Sequence, residues 1–328
     1  MEPDFIRHDI FDGEPELIPT RNGYGDGLVE AATREERIVA LSADLTESTR
    51  THLFAEKFPH RFVQVGVAEQ NLASVAAGMA AMGKIPFIAS YAMFSPGRNW
   101  EQIRTTVCYN NSNVKVIGAH AGISVGPDGA THQAIEDVAL MRVIPNMIVI
   151  NPADVHEARK ATLAIAKYEG PAYLRLGRSP TPVVSMESSP FEIGAAYRVY
   201  NRSVTSEQTV GIISTGSLLY NSLHAARQLE ARGVGVSVLH VPTIKPLDTT
   251  AVVAFAKDHS VLCTIEEHQR IGGLGGAVAE VLSEQYPVRL RRLGIDDQFG
   301  QSGEPEELLA YYRLDVSSIV EAVTDLLS

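Results

Sequence analysis

One carboxylate stands alone in the run Gly66-Val-Ala-Glu69-Gln-Asn-Leu-Ala-Ser-Val-Ala-Ala-Gly78, whose other residues are all uncharged. Before it, Arg61-Phe-Val-Gln-Val65 alternates as a strand does; after it, Leu72, Val75, Ala76, Met79 and Ala80 recur at helical spacing. Glu69 therefore falls at a strand-to-helix turn, where an acid favours the helix dipole by roughly 0.3–1 kcal/mol and needs no further role. A catalytic reading requires other reactive groups at the same end of the fold. The loop His120-Ala-Gly-Ile-Ser-Val-Gly-Pro-Asp128-Gly-Ala-Thr-His132 supplies them: glycines, a proline, an acid and a pair of histidines make a rim of open backbone suited to hydroxyl recognition and to proton transfer near neutral pH. A metal site fits less well, because His120 and His132 lack a short ligand spacing and nearby third and fourth ligands of the kind zinc takes.

The elements that must position these groups alternate. Strands are predicted over 37–42, 61–65, 84–89, 114–118, 147–150 and 172–176, and helices over 24–36, 69–82, 99–109, 132–143 and 154–169. Such alternation builds a mostly parallel sheet covered on both faces, and ligands bind such a sheet beyond the carboxyl ends of its strands. Asp44 and Ser48 follow the first strand, Glu69 the second, Tyr91 and Phe94 the third, His120, Asp128 and His132 the fourth, and Arg178 the sixth. Taken singly each has a plain structural explanation: Asp44 and Ser48 as caps, Tyr91 and Phe94 as core, His132 at a helix terminus, Arg178 as a surface charge.

Residues 1–19 read as an irregular lead-in, 20–180 as the first domain, and 181–190, in a Pro- and Ser-rich stretch, as a linker. A smaller α/β domain over 191–328 follows, with strands over 209–213, 235–239, 261–265 and 288–293 and helices over 217–232, 248–258, 274–285, 304–312 and 316–327. The fold class expected is therefore α/β, a doubly wound mostly parallel domain followed by a second α/β unit. A length of 328 residues at 45% hydrophobic content suffices for both cores. Net charge is −11 with no block of like charge, which argues against nucleic acid and anionic membranes and for small molecules or proteins as partners. No apolar run approaches the ~20 residues of a membrane span and the opening residues do not read as a signal peptide, so a cytoplasmic protein is expected. Cys108 and Cys263 read as reduced core thiols.

Five stretches occur in order: Ser42-Ala-Asp44-Leu-Thr-Glu-Ser48, Gly66-Val-Ala-Glu69-Gln-Asn, Pro86-Phe-Ile-Ala-Ser-Tyr91-Ala-Met-Phe94, Gly126-Pro-Asp128-Gly-Ala-Thr-His132-Gln, and Gly170-Pro running on to Arg178. Together they resemble transketolases, most closely the split bacterial enzymes in which this region is a separate C-terminal subunit. The resemblance spans essentially the whole chain. It implies that residues 20–180 bind the pyrimidine half of thiamine diphosphate, and that Glu69 is the glutamate bonded to N1′ of the aminopyrimidine, where a shared proton lets the exocyclic nitrogen deprotonate the thiazolium carbon. An apolar, uncharged pocket around Glu69 would suit that sharing. Tyr91 and Phe94 match the aromatic wall of the pyrimidine ring, and Asp44 an acid near the thiazolium. His120, Asp128 and His132 match groups that hold the donor's hydroxyls and assist proton transfer, while Arg21, Ser48 and Arg178 match those that hold a sugar phosphate. Arg175 reads as structural. The chain departs from full-length transketolases near Gly97-Arg98-Asn99-Trp100, where a further pocket aromatic is expected and the split subunits resemble it better.

The family's Gly-Asp-Gly and spaced Asn, which place Mg²⁺ on the diphosphate, have no counterpart. Gly25-Asp26-Gly27 falls in a predicted helix without that Asn, and Gly272-Gly-Leu-Gly-Gly276 reads as a turn opening a packed helix. The resemblance thus implies half an active site, completed by an N-terminal diphosphate-binding subunit that holds Mg²⁺, in a heterotetramer of two of each, acting on sugar phosphates. The alternatives are the beta subunit of a 2-oxo acid dehydrogenase, whose layout is shared and to which Glu266-Glu-His268 is also similar, a 1-deoxyxylulose-phosphate-synthase-like carboligase half, and a non-enzymatic assembly subunit.

Overall fold

The computed structural model describes residues 5–204, 206 and 208–328; the first four residues of the predicted lead-in lie outside them. In chain order the first part comprises β1 (Leu17–Ile18), α1 (Thr20–Arg34), β2 (Ile38–Ser42), α2 (His52–Lys57), β3 (Phe62–Gln64), α3 (Glu69–Ala81), β4 (Ile85–Tyr91), α4 (Trp100–Gln102), β5 (Lys115–Ala119), α5 (Asp137–Arg142), β6 (Ile148–Ile150), α6 (Val155–Lys167), β7 (Ala172–Arg175) and β8 (Thr181–Pro182). The second comprises β9 (Tyr197–Tyr200), β10 (Thr209–Ser214), α7 (Leu219–Glu230), β11 (Gly235–His240), β12 (Thr243–Lys245), α8 (Thr249–Lys257), β13 (Val261–Gln269), α9 (Leu274–Gln285), β14 (Arg289–Ile295), α10 (Pro305–Tyr311) and α11 (Val316–Leu327).

Strands β2 and β5 are buried at every residue, which is what a sheet covered on both faces demands. The larger sheet runs β12-β6-β7-β5-β4-β2-β3, parallel except for β12. One apolar cluster, with Tyr24, Phe54 and Phe87, fills one of its faces under α1 and α6; another, with Leu72, Ile103 and Tyr173, fills the face under α3. The smaller sheet runs β14-β13-β10-β11-β9, parallel except for β9. The α/β class expected from the alternation holds.

Three features depart from the sequence expectation. Thr243–Lys245, from the second part of the chain, pairs with β6 and so extends the first sheet. The 181–190 stretch is not a free tether: Thr181–Pro182 pairs antiparallel with Leu17–Ile18, and Val183, Val184, Ser185 and Ser189 are buried. The lead-in is equally engaged, since Phe5 and Ile10 are buried in the core cluster of the second unit. Prolines and a glycine marked the lead-in as irregular, and proline and serine marked the 181–190 stretch as a linker; what anchors them is pairing and burial against distant chain.

The Gly25-Asp26-Gly27 stretch lies inside α1. A Cβ on Gly23 would stand 2.0 Å from the Val155 carbonyl oxygen and one on Gly27 3.0 Å from that of Arg159, so these glycines let α1 and α6 approach closely. Gly272, at φ +78°, opens the turn before α9. Glu266, packed against Gly273, accepts from the N–H groups of Leu274 at 2.7 Å and Gly275 at 2.8 Å, satisfying donors of the first helical turn.

Candidate active site

Every candidate but Arg21 falls in the stretch of chain that follows a first-sheet strand or, for Tyr91, at the strand's last residue; Arg21 comes from the start of α1. Glu69 is the first residue of α3 and is 1% exposed. The uncharged pocket expected around it is not found, because the chain after β4 folds back onto it and brings a guanidinium against the acid. Arg98 donates to Glu69 Oε2 at 2.7 Å, and Asn99 donates to the Glu69 carbonyl at 3.0 Å. No hydrogen bond engages the other carboxylate oxygen among the described residues. The Arg98 guanidinium also lies 5.2 Å from the centre of the Phe94 ring, so one cation joins the buried acid to the aromatic pair.

Tyr91, the last residue of β4, and Phe94 are stacked at 6.0 Å and 23°. His120 stacks on Tyr91 at 4.0 Å, and His132 meets Phe94 edge-on at 5.5 Å. Helix α5 begins at Asp137 rather than near 132, which leaves His132 in the loop where its ring can reach both aromatics. His132 Nδ1 bonds the Thr131 hydroxyl at 2.9 Å, and Asp128 is exposed at the end of the short 3₁₀ turn Ile123–Asp128.

His120 sits at φ +55° and is 2% exposed. Arg21 donates to its Nε2 at 3.2 Å and, since an arginine only donates, the imidazole proton belongs on Nδ1. That Nδ1 is buried and without a partner. Burial first, then the charges of Arg21 and Arg178, push His120 down to about 3 and keep it neutral at working pH. Arg21 also donates to the Ser48 carbonyl at 2.9 Å, its Nε is buried without a partner, and burial followed by Arg50 and Arg178 lowers its pKa. Arg178 donates to the Val125 carbonyl at 3.0 Å. Arg21 and Arg178 thus gather positive potential around the neutral His120, which stacks on Tyr91. Asp44 stands apart from this cluster: it is exposed at φ +60°, its N–H donating to Gln64 Oε1 at 2.8 Å. Arg175 is buried and structural, pairing with Asp137 at 2.8 Å.

Arg98 and Asn99 escaped the sequence reading. They fall in the Gly97–Trp100 stretch where an aromatic was expected, but nothing periodic links an arginine to an acid 29 residues earlier.

Two family models match the chain: the transketolase pyrimidine-binding domain over residues 16–183 and the transketolase C-terminal domain over residues 200–319. Among named relatives, the chain is 44% identical over 308 residues to a putative transketolase C-terminal section of Methanocaldococcus jannaschii, covering 93% of this chain and 95% of that protein. It is 40% identical over 302 residues to the 6-deoxy-6-sulfo-D-fructose transketolase subunit SqwH of a Clostridium species, with 92% of each covered. Among solved structures, a split gene transketolase described as an inactive beta4 tetramer superposes with a TM-score of 0.86 at 44% identity, covering 94% of this chain and 98% of that one.

Proposed function

The chain belongs to the transketolase family, and from that premise we propose that it is the C-terminal subunit of a two-subunit transketolase that moves a two-carbon ketol unit from a ketose phosphate to an aldose. Residues 20–180 would be its pyrimidine-binding domain and 191–328 its C-terminal domain, with the 1–19 and 181–190 segments joining them. Its compartment would be the cytoplasm; among the described residues no helix is long and apolar enough to cross a membrane.

The family implies thiamine diphosphate, and the residues present fit one end of it. The observation that carries the reading is the state of Glu69, a buried carboxylate with one oxygen held by Arg98 and the other without a hydrogen bond, tied through Arg98 to the face of Phe94. In this reading the free oxygen of Glu69 would receive the aminopyrimidine, Arg98 would fix the carboxylate plane, and Tyr91 and Phe94 would pack against the ring. When bound, the cofactor supplies a nucleophilic carbon and an electron sink. Neutral His120 offers its unpartnered Nδ1–H to a substrate oxygen, and His132, with Asp128 on the same loop, accepts and returns hydroxyl protons. Arg21 and Arg178, with Ser48, receive the sugar phosphate by charge-assisted bonds. Asp44 would stand as an acid at the thiazolium side.

The diphosphate and Mg²⁺ would be held by an N-terminal subunit, two of each chain forming a heterotetramer. The packing of the Gly25–Gly27 stretch inside α1 supports this, since its backbone is unavailable to a phosphate. So does the relative whose four beta chains assemble in an inactive form. The 2-oxo acid dehydrogenase, carboligase and assembly-only alternatives are not favoured by the split-transketolase relatives. Turnover assays on the assembled enzyme test the reaction class: ketose phosphate should be consumed with an aldose acceptor and no lipoyl group, and a requirement for a 2-oxo acid and a lipoyl acceptor would overturn the proposal.

A further inference from the structure

The loop that carries His120, Asp128 and His132 belongs to the first sheet, yet its anchor comes from the second. Glu267, on β13, is 5% exposed and accepts from the backbone N–H of Ser124 through Oε1 at 2.6 Å. Its other oxygen takes only a long bond from the Ser217 hydroxyl at 3.3 Å, and no ion pair neutralises it among the described residues. The nearest guanidinium, Arg175, donates instead to the Glu267 backbone carbonyl at 2.9 Å and to the Ala134 carbonyl at 3.2 Å. Burial accordingly pushes the Glu267 carboxyl up. A buried acid without an ion-pair contact is costly to the fold, the charge of Arg175 offsetting its burial only in part, and an uncharged acceptor would satisfy Ser124 at less expense.

The surrounding geometry ties this carboxylate to the placement of the loop. Gly122 sits at φ +86°, and a Cβ there would stand 2.2 Å from Glu267 Oε1, so the loop turns directly against the acid. The Gly122 N–H is paired with the Ala134 carbonyl at 2.8 Å, and Gln269, two residues beyond Glu267, donates to Ile135 at 2.8 Å. Both ends of the loop are therefore registered on β13. We propose that Glu267 is a positioning residue of the second domain, whose carboxylate holds the Ser124 N–H and so fixes where His120, Asp128 and His132 stand. Its consequence for turnover rests on the ketol-transfer reading; its consequence for the loop does not.

The test uses the full chain with Glu267→Ala, Glu267→Gln and Gly122→Ala, followed by amide hydrogen exchange of the 119–134 segment against the 209–214 strand as control. Loss of the acceptor should speed exchange around Ser124 by about tenfold in Glu267→Ala, while Glu267→Gln, which keeps a carbonyl oxygen in place, stays within about twofold of the parent. Gly122→Ala attacks the same contact from the loop side without altering β13, and should loosen the loop alone. With the partner subunit added, Glu267→Ala should raise the donor KM and lower kcat, each by about tenfold, while thiamine diphosphate affinity moves by no more than about twofold. Equal exchange in the Ala and Gln variants, or acceleration spread over the control strand, would overturn the proposal in favour of a merely structural acid. If the parent with its partner subunit shows no ketol transfer but the exchange pattern appears, the functional reading fails and the positioning role stands; if that assembly is active and the one with Glu267→Ala matches it, the positioning role fails.

Discussion

Glu69 is buried at a helix start, and Arg98 holds only one of its two oxygens. If the free oxygen governs the cofactor's proton, Glu69→Gln should cut kcat of the assembled enzyme by about 10²–10⁴-fold, as removal of a positioned acid–base group does, with donor KM changed little. Steady-state kinetics with a ketose phosphate check this. His120 gives a pH prediction. Its folded value of about 3 lies below the ordinary 6.5, so between the two the unfolded chain binds more protons. The stabilising contribution is full above the unfolded value and is lost as pH falls toward 3. Urea midpoints measured at neutral and acidic pH should fall less on acidification in His120→Gln than in the parent; identical acid sensitivity would contradict the assignment. At this scale the sequence made Glu69 and the 120–132 loop conspicuous because their chemistry is local: a lone acid at a turn, histidines among glycines. The Arg98 contact was silent because its partner is brought by the fold, and Glu267 showed only as part of Glu266-Glu-His268, its bond to Ser124 being made across the two units.

Strands β2, β4, β5 and β7 were legible as near-continuous apolar runs, and helices α3, α9 and α11 by their periodicity. Short β12 was not, because Thr243-Ile-Lys lies among prolines and its partner β6 belongs to the other part of the chain. Edge strand β9 was missed as well: all four of its residues are half-buried, so no in–out alternation marks it. The start of α5 was misplaced because the Gly- and Thr-rich approach to it forms turns rather than a helical lead. One buried residue shows what pins an element's end. Lys115 at the start of β5 donates to Asn113 Oδ1 at 2.5 Å and to the carbonyls of Tyr168 at 2.7 Å and Gly170 at 2.6 Å. Lys115→Met keeps the apolar stem but leaves buried acceptors unpaired, and should lower stability by about 3 kcal/mol in urea unfolding. A change under about 0.5 kcal/mol would show that water replaces the ammonium without loss.

The two sheets act as one body. Phe5 and Ile10 at the start of the chain pack into the second unit, β12 completes the first sheet, and the buried pair Glu157–His240, 2.9 Å apart, bridges them. A chain cut after residue 190 should therefore lack a cooperative thermal transition, since β6 loses its edge partner and the lead-in its pocket. Circular dichroism melting of that fragment checks this, and a sharp transition like the parent's would contradict it. At the scale of the assembly, the proposed function gives this chain the pyrimidine side of a site whose diphosphate side would lie on a partner subunit. The most direct measurement is ketol transfer from a ketose phosphate, with thiamine diphosphate and Mg²⁺, by the purified chain alone and after titration with the N-terminal transketolase subunit. Transfer should be absent at first and saturate at one partner per chain; full activity of the isolated chain would contradict the account.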